Sequence, residues 1–400
     1  MREPRPITRI ELSEKNKGLR LIAAIALLVI GVIGITVGFM HALNRDDGWQ
    51  RVQVVTQERS CTENFVLQYH FGESGSQATA VNMKLQKVYA DACTKAYQLF
   101  TPDEAFDSVN NIYHINHHPN EEITVDPVLY AAFEKMENTP YLYLGPVYAH
   151  YHSIIFNAPE SSVAQLDPLT GSDAKAYVNQ IAEFAADRQN VKLELLGDNR
   201  VKLCVSDDYL AFAAKEEIET FIDFAYLTNA VIIDYLADTL IGEGLTNGYL
   251  VSADGYTRNL CAGEKFNFNI FDRVENLIYP AGVLEYEGPV SMVFFKDYPT
   301  ANSDVNYREN QDHFVHLFAD PADGIYRASA QNLVSYSYDT GCVDVALKML
   351  PCFMGTDFAV PEGVYSIWCE ESVIYYNDET VSIKQLLKDE NVAYRAILKQ

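Results

Sequence analysis

The longest run of apolar residues in the chain is Leu21–Met40, in which no residue is charged. Twenty residues in a helix span about 30 Å, which is the thickness of the hydrocarbon core of a membrane. A cleaved signal peptide is the alternative, but its apolar region is usually shorter, and no convincing small-x-small cleavage site follows here. The pattern therefore predicts an uncleaved transmembrane helix over residues 21–43.

Basic residues outnumber acidic ones in the segment ahead of this helix, where six arginines and lysines face three glutamates. The cytoplasmic flanks of membrane helices are enriched in lysine and arginine. Residues 1–20 are therefore predicted to be a cytoplasmic tail, residues 44–60 a polar linker, and residues 61–400 an extracytoplasmic domain. The expected location is a cell membrane, crossed once.

Beyond the linker, apolar positions recur with the periods of strands and of helices in mixed order. This mixture predicts an α/β (α+β) domain of layered sheets and helices. The predicted strands are Glu63–Phe71, Val191–Leu195, Arg200–Val205, Phe266–Phe271, Gly282–Tyr286, Gly363–Trp368 and Val373–Tyr376. The predicted helices are Val81–Leu99, Pro127–Met136, Asp173–Arg188 and Ser382–Leu398.

The central stretch, Glu219–Tyr256, predicts a strand, a turn, a helix, a turn and a second strand. Thr228 is the predicted helix cap, because hydroxyl side chains accept hydrogen bonds from the first free N–H groups. Gly242 and Gly244 mark the predicted helix end. A strand that leads into a helix N-terminus is a natural site for an anion, since the first N–H groups lack helical partners.

Composition narrows the classes of partner. The formal net charge is −25 and the sequence pI is about 4.6, which argues against nucleic acid as a partner. None of the seven cysteines forms a C-x-x-C pair, which argues against a zinc ribbon or a thioredoxin-like motif. An exported domain permits disulfides, and the odd count leaves at least one thiol unpaired within the chain. Spacing alone does not reveal the pairing.

Ile222–Tyr256 resembles the central motif of the FAD:protein FMN transferases, the ApbE-type family. That motif is an Asp-Phe-Gly-x-x-Ala-Lys-Gly turn, an aspartate four residues after the last glycine, a helix, and a strand that ends in Gly-Gly. Asp223 and Phe224 match its start, and Asp234 matches the later aspartate. The resemblance implies an ApbE-type, T-fold-like domain, and it extends in order over nearly all of Cys61–Tyr376.

Several positions that border the nucleotide in the family carry other residues here. The family Lys-Gly pair begins at Asn229, and the Gly-Gly pair falls on Asp254 and Gly255. A family segment that borders the flavin, Gly-x-Phe-Asp-x-Thr-x-Gly-Pro, has its aspartate at Tyr141 and its threonine at Tyr143. The resemblance implies that these five residues line the cofactor site. The two tyrosines either stack on the isoalloxazine ring or line the core.

The His-His-Ile-Ile-Asp-Pro-x-Thr-Gly signature of the family resembles His313–Gly324, and its second histidine corresponds to His316. His316 is therefore the candidate catalytic base. The alternative is a structural histidine whose nitrogens are satisfied within the protein.

The family binds a divalent metal through an aspartate and a threonine one turn apart on a helix, and through a backbone carbonyl. The corresponding residues are Asp344, Lys348 and Thr228. A lysine ammonium near the cation site would repel Mg²⁺ and would pair with Asp344. FAD is thus the expected ligand, whereas Lys348 argues against Mg²⁺.

The resemblance implies a membrane-anchored protein whose family moves FMN from FAD onto a serine or threonine hydroxyl of a target flavoprotein. The replaced lysine, threonine and glycine favour a degenerate relative that binds a flavin nucleotide or docks to a membrane partner. An active transferase that modifies a membrane flavoprotein is the alternative, so the enzymatic status stays open.

A histidine-rich surface protein that binds metal is a third hypothesis. His114, His117 and His118 cluster in the sequence, as do His150 and His152. Imidazole is a common metal ligand, but a metal site also needs fixed geometry and partners behind its ligands.

Overall fold

The computed structural model describes residues 48–72, 76–274, 277–300, 306–387 and 393–399. The predicted cytoplasmic tail, the predicted transmembrane helix and the first residues of the linker lie outside these ranges. None of the helices within them is long and apolar enough to span a bilayer.

The chain forms two compact units. The smaller unit is Met1–Trp49 with Phe71–Met83, and its described residues, 48–49, 71–72 and 76–83, include the first turns of one helix. The larger unit is Gln50–His70 with Lys84–Gln400. It contains nearly all of the sheets and every site discussed below.

Most helices begin and end near polar or proline signals in the sequence. Pro127 opens one of them, and the Asp126 side chain accepts a hydrogen bond from the Val128 N–H at 2.9 Å. The helices are α1 (Ser76–Phe100), α2 (Ile112–His117), α3 (Pro127–Met136), α4 (Gly145–Ala149), α5 (Glu160–Leu166), α6 (Ser172–Ala186), α7 (Asp207–Lys215), α8 (Thr228–Gly242) and α9 (Cys342–Phe353). A π-helical turn, His150–Ile155, follows α4, and short 3₁₀ helices occupy Thr62–Asn64, Tyr141–Tyr143 and Ala225–Leu227.

The strands of the described residues are β1 (Gly48–Arg51), β2 (Phe65–Phe71), β3 (Glu122–Thr124), β4 (Val191–Gly197), β5 (Arg200–Val205), β6 (Gly248–Ser252), β7 (Tyr256–Asn259), β8 (Lys265–Val274), β9 (Leu277–Glu287), β10 (Val290–Lys296), β11 (Tyr307–Asn310), β12 (His313–His316), β13 (Asn332–Ser337), β14 (Tyr365–Glu370), β15 (Val373–Tyr376), β16 (Ser382–Gln385) and β17 (Arg395–Leu398). The largest sheet has the order β1-β2-β6-β7-β10-β13-β14-β15-β17. Smaller sheets have the orders β16-β9-β8, β3-β5-β4 and β11-β12.

The middle of the large sheet is the core of the larger unit. Every residue of β10 and β13 is buried, because the β8–β9 hairpin covers one face and helices α8 and α9 pack on this part of the sheet. Strands buried on both faces read as continuous apolar runs, as the sequence around β10 does. This arrangement holds the N-termini of α8 and α9 against the sheet.

A buried carboxylate joins these two helices. Asp234 on α8 accepts hydrogen bonds from the N–H groups of Cys342 (2.8 Å) and Val343 (3.0 Å), the first residues of α9. The same carboxylate contacts the Arg258 guanidinium on β7 at 2.7 Å. A Cβ at Gly341 would lie 2.3 Å from the Asp234 carboxylate, so only glycine fits there.

Three predicted features of the fold are wrong: the closing helix, the strand ahead of α8 and the side-chain cap at Thr228. The closing helix Ser382–Leu398 is instead strands β16 and β17, because the edges of β9 and β15 offer unpaired backbone groups to this segment. The strand predicted ahead of α8 is absent from the described residues 219–224. The Asn116 side chain takes its place: its oxygen accepts from Phe221 N and Ile222 N, both at 2.9 Å, and its amide donates to Ile222 O at 2.9 Å.

Thr228 is the first residue of α8, and it does not cap the helix through its side chain. The 3₁₀ helix Ala225–Leu227 runs directly into α8, so the residue before the helix, Leu227, already has helical backbone angles. A cap side chain requires an extended residue at that position.

Candidate functional site

A cavity of about 400 Å³ opens beside the N-terminus of α8. Its walls come from the end of α1, the segment 220–232, the turn after β6, the end of β10 and the end of β12. Four residues predicted for the site line it, namely Thr228, Asn229, Asp254 and His316. Binding pockets of about 300–1,000 Å³ are typical for small ligands.

Asn229 and Asp254 are bonded to each other across this cavity wall. The Asp254 carboxylate accepts hydrogen bonds from the Asn229 side chain and from Ser252 Oγ, the latter at 2.5 Å. Burial raises the pKa of Asp254 to about 6, although these bonds and Lys296 counteract the rise. The carboxyl group therefore exchanges its proton close to neutral pH.

Gly255, also predicted to border the cofactor, has a role in packing. Its φ is +101°, and an added Cβ would lie 2.5 Å from the carbonyl oxygen of Phe294. Its own carbonyl accepts the Phe294 N–H at 2.9 Å. A glycine is thus required where the turn after β6 meets β10.

Asp223 is a second acid in the cavity wall. Burial raises its pKa to about 7, and the nearby Asp103 raises it further, while the Ala225 N–H donates to its carboxylate at 2.9 Å. Ala225 has a φ of 49°, a left-handed conformation that favours glycine. Strained backbone of this kind clusters at functional sites.

His316 lies at the end of β12 and is 3% exposed. Its Nδ1 accepts the Phe318 N–H at 3.3 Å, so the proton of the neutral ring is on Nε2. Burial lowers the pKa of His316 to about 3, with smaller effects from His313 and Arg273. The ring is therefore neutral near pH 7, and it is a weaker base than the carboxylates of Asp223 and Asp254.

Aromatic rings form much of the remaining wall. Tyr226 packs edge-on against Tyr148 with 5.5 Å between the ring centroids, and it is tilted against Phe318 at 5.3 Å. The aromatic residues that line the cavity are Tyr97, Phe100, Tyr148, Tyr226, Tyr256, Phe295, Tyr307 and Phe318. Such walls suit a flat, largely apolar ring.

Tyr141 and Tyr143, predicted to touch the flavin, do not line this cavity. The Tyr143 hydroxyl donates to Glu137 O at 2.8 Å and accepts the Leu193 N–H at 3.1 Å, and the Arg188 guanidinium covers its ring at 3.9 Å. Tyr141 is 9% exposed, and its carbonyl accepts the hydroxyl of Tyr148. The tyrosine of this segment that reaches the cavity is Tyr148, three residues after Gly145.

The residues predicted to bind metal have different surroundings. Thr228 lines the cavity, whereas Asp344 forms an ion pair with Lys135 at 3.3 Å on the surface. Lys348 donates to the Gly363 carbonyl at 3.0 Å instead of pairing with Asp344. Across the described ranges, no group of three or more His, Cys, Asp or Glu residues is arranged to hold a metal ion. Lys348 thus leaves the Mg²⁺ site that the resemblance implies without its threonine ligand.

The histidine cluster of the sequence lies on α2 and just after it. His117 Nδ1 and His118 Nδ1 each lie 2.8 Å from the carbonyl oxygen four residues earlier. The His114 and His118 rings stack with centroids 4.0 Å apart, and burial lowers the pKa of His114. These contacts within the protein explain how the side chains of the three histidines are arranged.

Solved structures resemble this one in fold. The ApbE protein from Thermotoga maritima matches with a TM-score of 0.52 and 11% identity, over 85% of this chain and 96% of that chain. The flavin transferase ApbE from Vibrio cholerae matches with a TM-score of 0.54 and 12% identity, over 84% and 97%. The predicted ApbE-type fold is confirmed. No protein-family model matches the sequence, and no curated protein matches it either.

Proposed function

We propose that this chain is a membrane-anchored, extracytoplasmic ApbE-like protein that binds a flavin nucleotide in the aromatic cavity and does not transfer FMN. The observation that carries the proposal is the ring of tyrosine and phenylalanine side chains beside the start of α8. This is where the resemblance places the nucleotide. The strained backbone at Ala225 in the same wall also supports a ligand site here.

An isoalloxazine ring matches the chemistry of this cavity. Its flat faces gain from stacking against rings such as Tyr148, Tyr226 and Phe318. Its polar edge carries both donors and acceptors of hydrogen bonds. Asp223 and Asp254, with pKa values of about 7 and about 6, can meet that edge in either protonation state.

The cavity makes less favourable contacts with the phosphates of FAD than with its ring. Three acids line the cavity, Asp103, Asp223 and Asp254, together with Lys296. When the acids are ionised, they repel a pyrophosphate. We therefore expect the ring to supply most of the binding free energy, and the affinity for FMN and FAD to rise as the pH falls through about 7 and about 6, where Asp223 and Asp254 take up protons.

The proposed loss of the transfer reaction rests on the residues that would bind a metal ion and accept a proton. Breaking the FAD pyrophosphate requires neutralisation of its oxygens and a base for the acceptor hydroxyl. Asp344 is engaged by Lys135, and Lys348 by the Gly363 carbonyl, so neither supports a cation beside Thr228. With a pKa of about 3, His316 is poorly suited to take a proton at neutral pH.

The test is a titration of flavin with the full-length chain, in which quenching of the flavin fluorescence measures binding. We expect Tyr148→Leu to weaken binding about tenfold, because ring stacking contributes about 0.5–1.5 kcal/mol and 1.4 kcal/mol is a factor of ten. Tyr338→Leu, at a 39% exposed tyrosine outside the cavity wall, is the matched control and should bind as wild type does. Absence of binding by FAD, FMN and riboflavin alike would refute the proposal.

Flavin binding should not depend on Mg²⁺. FAD titrations in Mg²⁺ and in EDTA are expected to give the same dissociation constant, since Asp344 pairs with Lys135 and does not line the cavity. A marked loss of affinity in EDTA would show that a cation takes part. That result would favour an active transferase.

An active transferase is the second candidate, and one observation favours it. Asp223, with a pKa of about 7, has the proton affinity of a general base working at neutral pH. Incubation with FAD and flavoprotein acceptor domains should then add the mass of FMN to a serine or threonine. Unmodified acceptors, beside a family enzyme that modifies them, would exclude this candidate.

The proposed topology has its own test. Protease added to intact cells should digest residues 61–400 and spare residues 1–20, because the basic flank is expected to stay in the cytoplasm. Antibodies against tags at each end would report the two segments separately. Protection of the large domain, with digestion after lysis, would reverse the assignment.

A further inference from the structure

Two of the seven cysteines meet inside the larger unit. The Cys61 N–H donates to the Cys93 carbonyl at 3.4 Å, and the Cys61 Sγ lies 3.3 Å from the same oxygen. Besides burial, the Cys61 thiol raises the pKa of the Cys93 thiol, so the two side chains are close enough to interact. Cys61 is 3% exposed and Cys93 is fully buried.

This contact brings two cysteines from distant parts of the chain together. A disulfide needs Cα atoms about 4.4–6.8 Å apart and side chains that point toward each other. The backbone hydrogen bond between Cys61 and Cys93 holds the two main chains close, and the Cys61 Sγ lies against the Cys93 carbonyl. Cys342 differs, because its Sγ is directed to the carbonyls of Thr257 and Met292.

We propose that Cys61 and Cys93 form an intrachain disulfide in the exported protein. The bond joins the start of the 3₁₀ helix Thr62–Asn64 to α1. It is a structural bond that forms during folding, because burial raises the pKa of the Cys93 thiol in the folded chain and so suppresses the thiolate that exchange requires.

The oxidant is a disulfide, either glutathione disulfide or that of a thiol–disulfide oxidoreductase. One cysteine thiolate attacks this disulfide, forms a mixed disulfide and releases one thiolate of the oxidant. The second cysteine attacks the mixed disulfide, forms the Cys61–Cys93 bond and releases the other thiolate. The chain loses two protons and two electrons, and the oxidant becomes the dithiol or two thiols.

The bond would tie together two walls of the cavity. Cys61 and Asn64 line it from one side, and Tyr97 and Phe100 line it from the end of α1. The carbonyl of Asn64 accepts the Ala253 N–H at 3.0 Å, next to the turn that carries Asp254. The proposal concerns the covalent structure alone and does not rest on flavin binding.

Peptide mapping tests the proposal directly. The full-length chain is reduced, unfolded and refolded in a glutathione redox buffer, then alkylated without reduction and digested with trypsin. Cys61 lies in the tryptic peptide Ser60–Lys84 and Cys93 in Val88–Lys95, each with one cysteine. We expect these two peptides to be joined, while Leu203–Lys215, with Cys204, is alkylated. Alkylation of both Cys61 and Cys93, or linkage of either to another cysteine, would overturn the proposal.

Thermal unfolding gives a second measurement. Dithiothreitol should lower the melting temperature of the wild type by several degrees, because a cross-link restricts the unfolded chain. Cys93→Ala should show no response to dithiothreitol, and Cys204→Ala, the control, should respond as the wild type does. Equal responses of Cys93→Ala and the wild type would contradict the proposal.

Discussion

Replacing Asp234 with alanine is expected to lower the free energy of unfolding by about 3–5 kcal/mol, the usual cost of removing one partner from a buried ion pair. The Arg258 guanidinium, 2.7 Å away and 14% exposed, would keep its charge without this partner. The N–H groups of Cys342 and Val343 would lose their acceptor at the start of α9. A typical domain has only about 5–15 kcal/mol of stability, so this loss is large.

Asp238→Ala is the matched control. Asp238 also approaches Arg258, at 3.7 Å, but its side chain is 74% exposed, so water replaces the contact when it is removed. Exposed pairs contribute at most about 1 kcal/mol. Urea unfolding of the two variants should separate them clearly. Equal midpoints for the two variants would show that the buried carboxylate does not hold the two helices.

The second large effect depends on pH: wild-type stability is expected to fall as pH rises from about 4 to about 7. Burial raises the pKa of Asp223 to about 7 and that of Asp254 to about 6, from an ordinary value of 3.8. In this window the folded chain keeps protons that the unfolded chain has lost. The stabilisation is complete below pH 3.8 and has gone once the pH exceeds the folded pKa values.

Asp223→Asn should remove most of this dependence. One unit of pKa difference corresponds to about 1.4 kcal/mol, and solvent in the cavity screens part of it, so we expect a gain of about 2 kcal/mol at pH 8. At pH 4 the variant should match the wild type, because asparagine resembles the protonated acid. The exposed Asp339→Asn serves as control. Parallel stability curves for Asp223→Asn and wild type would contradict the assignment.

The local sequence pattern predicts those helices and strands whose ends are marked by proline, glycine or capping residues. Pro127–Met136 has a proline and a capping aspartate and was placed to the residue. The strands predicted at Val191–Leu195 and Arg200–Val205 correspond to β4 and β5, and Gly197, Asp198 and Asn199, all with positive φ, join them as a hairpin. The last segment, Ser382–Leu398, has no such signals, and its two strands exist because distant sheet edges pair with it.

The resemblance named Thr228, Asn229, Asp254 and His316 as site residues. They come from distant parts of the chain, and all four line one cavity. The resemblance did not indicate the acid at Asp223 as a proton-exchanging group, because the raised pKa comes mainly from burial, which the sequence does not show. The wall tyrosines Tyr148 and Tyr226 were also missed. Their direction depends on where α4 and the 3₁₀ turn begin, which periodicity does not determine.

The amide of Asn116 has a consequence for engineering. It clamps the chain at Phe221 and Ile222, directly ahead of the cavity wall, from a position that is 2% exposed and outside the cavity. The support of the wall is thus separate from the side chains that face the cavity. Combinatorial libraries that vary the wall tyrosines while keeping Asn116 fixed offer a route to designing sites for planar cofactors on this scaffold.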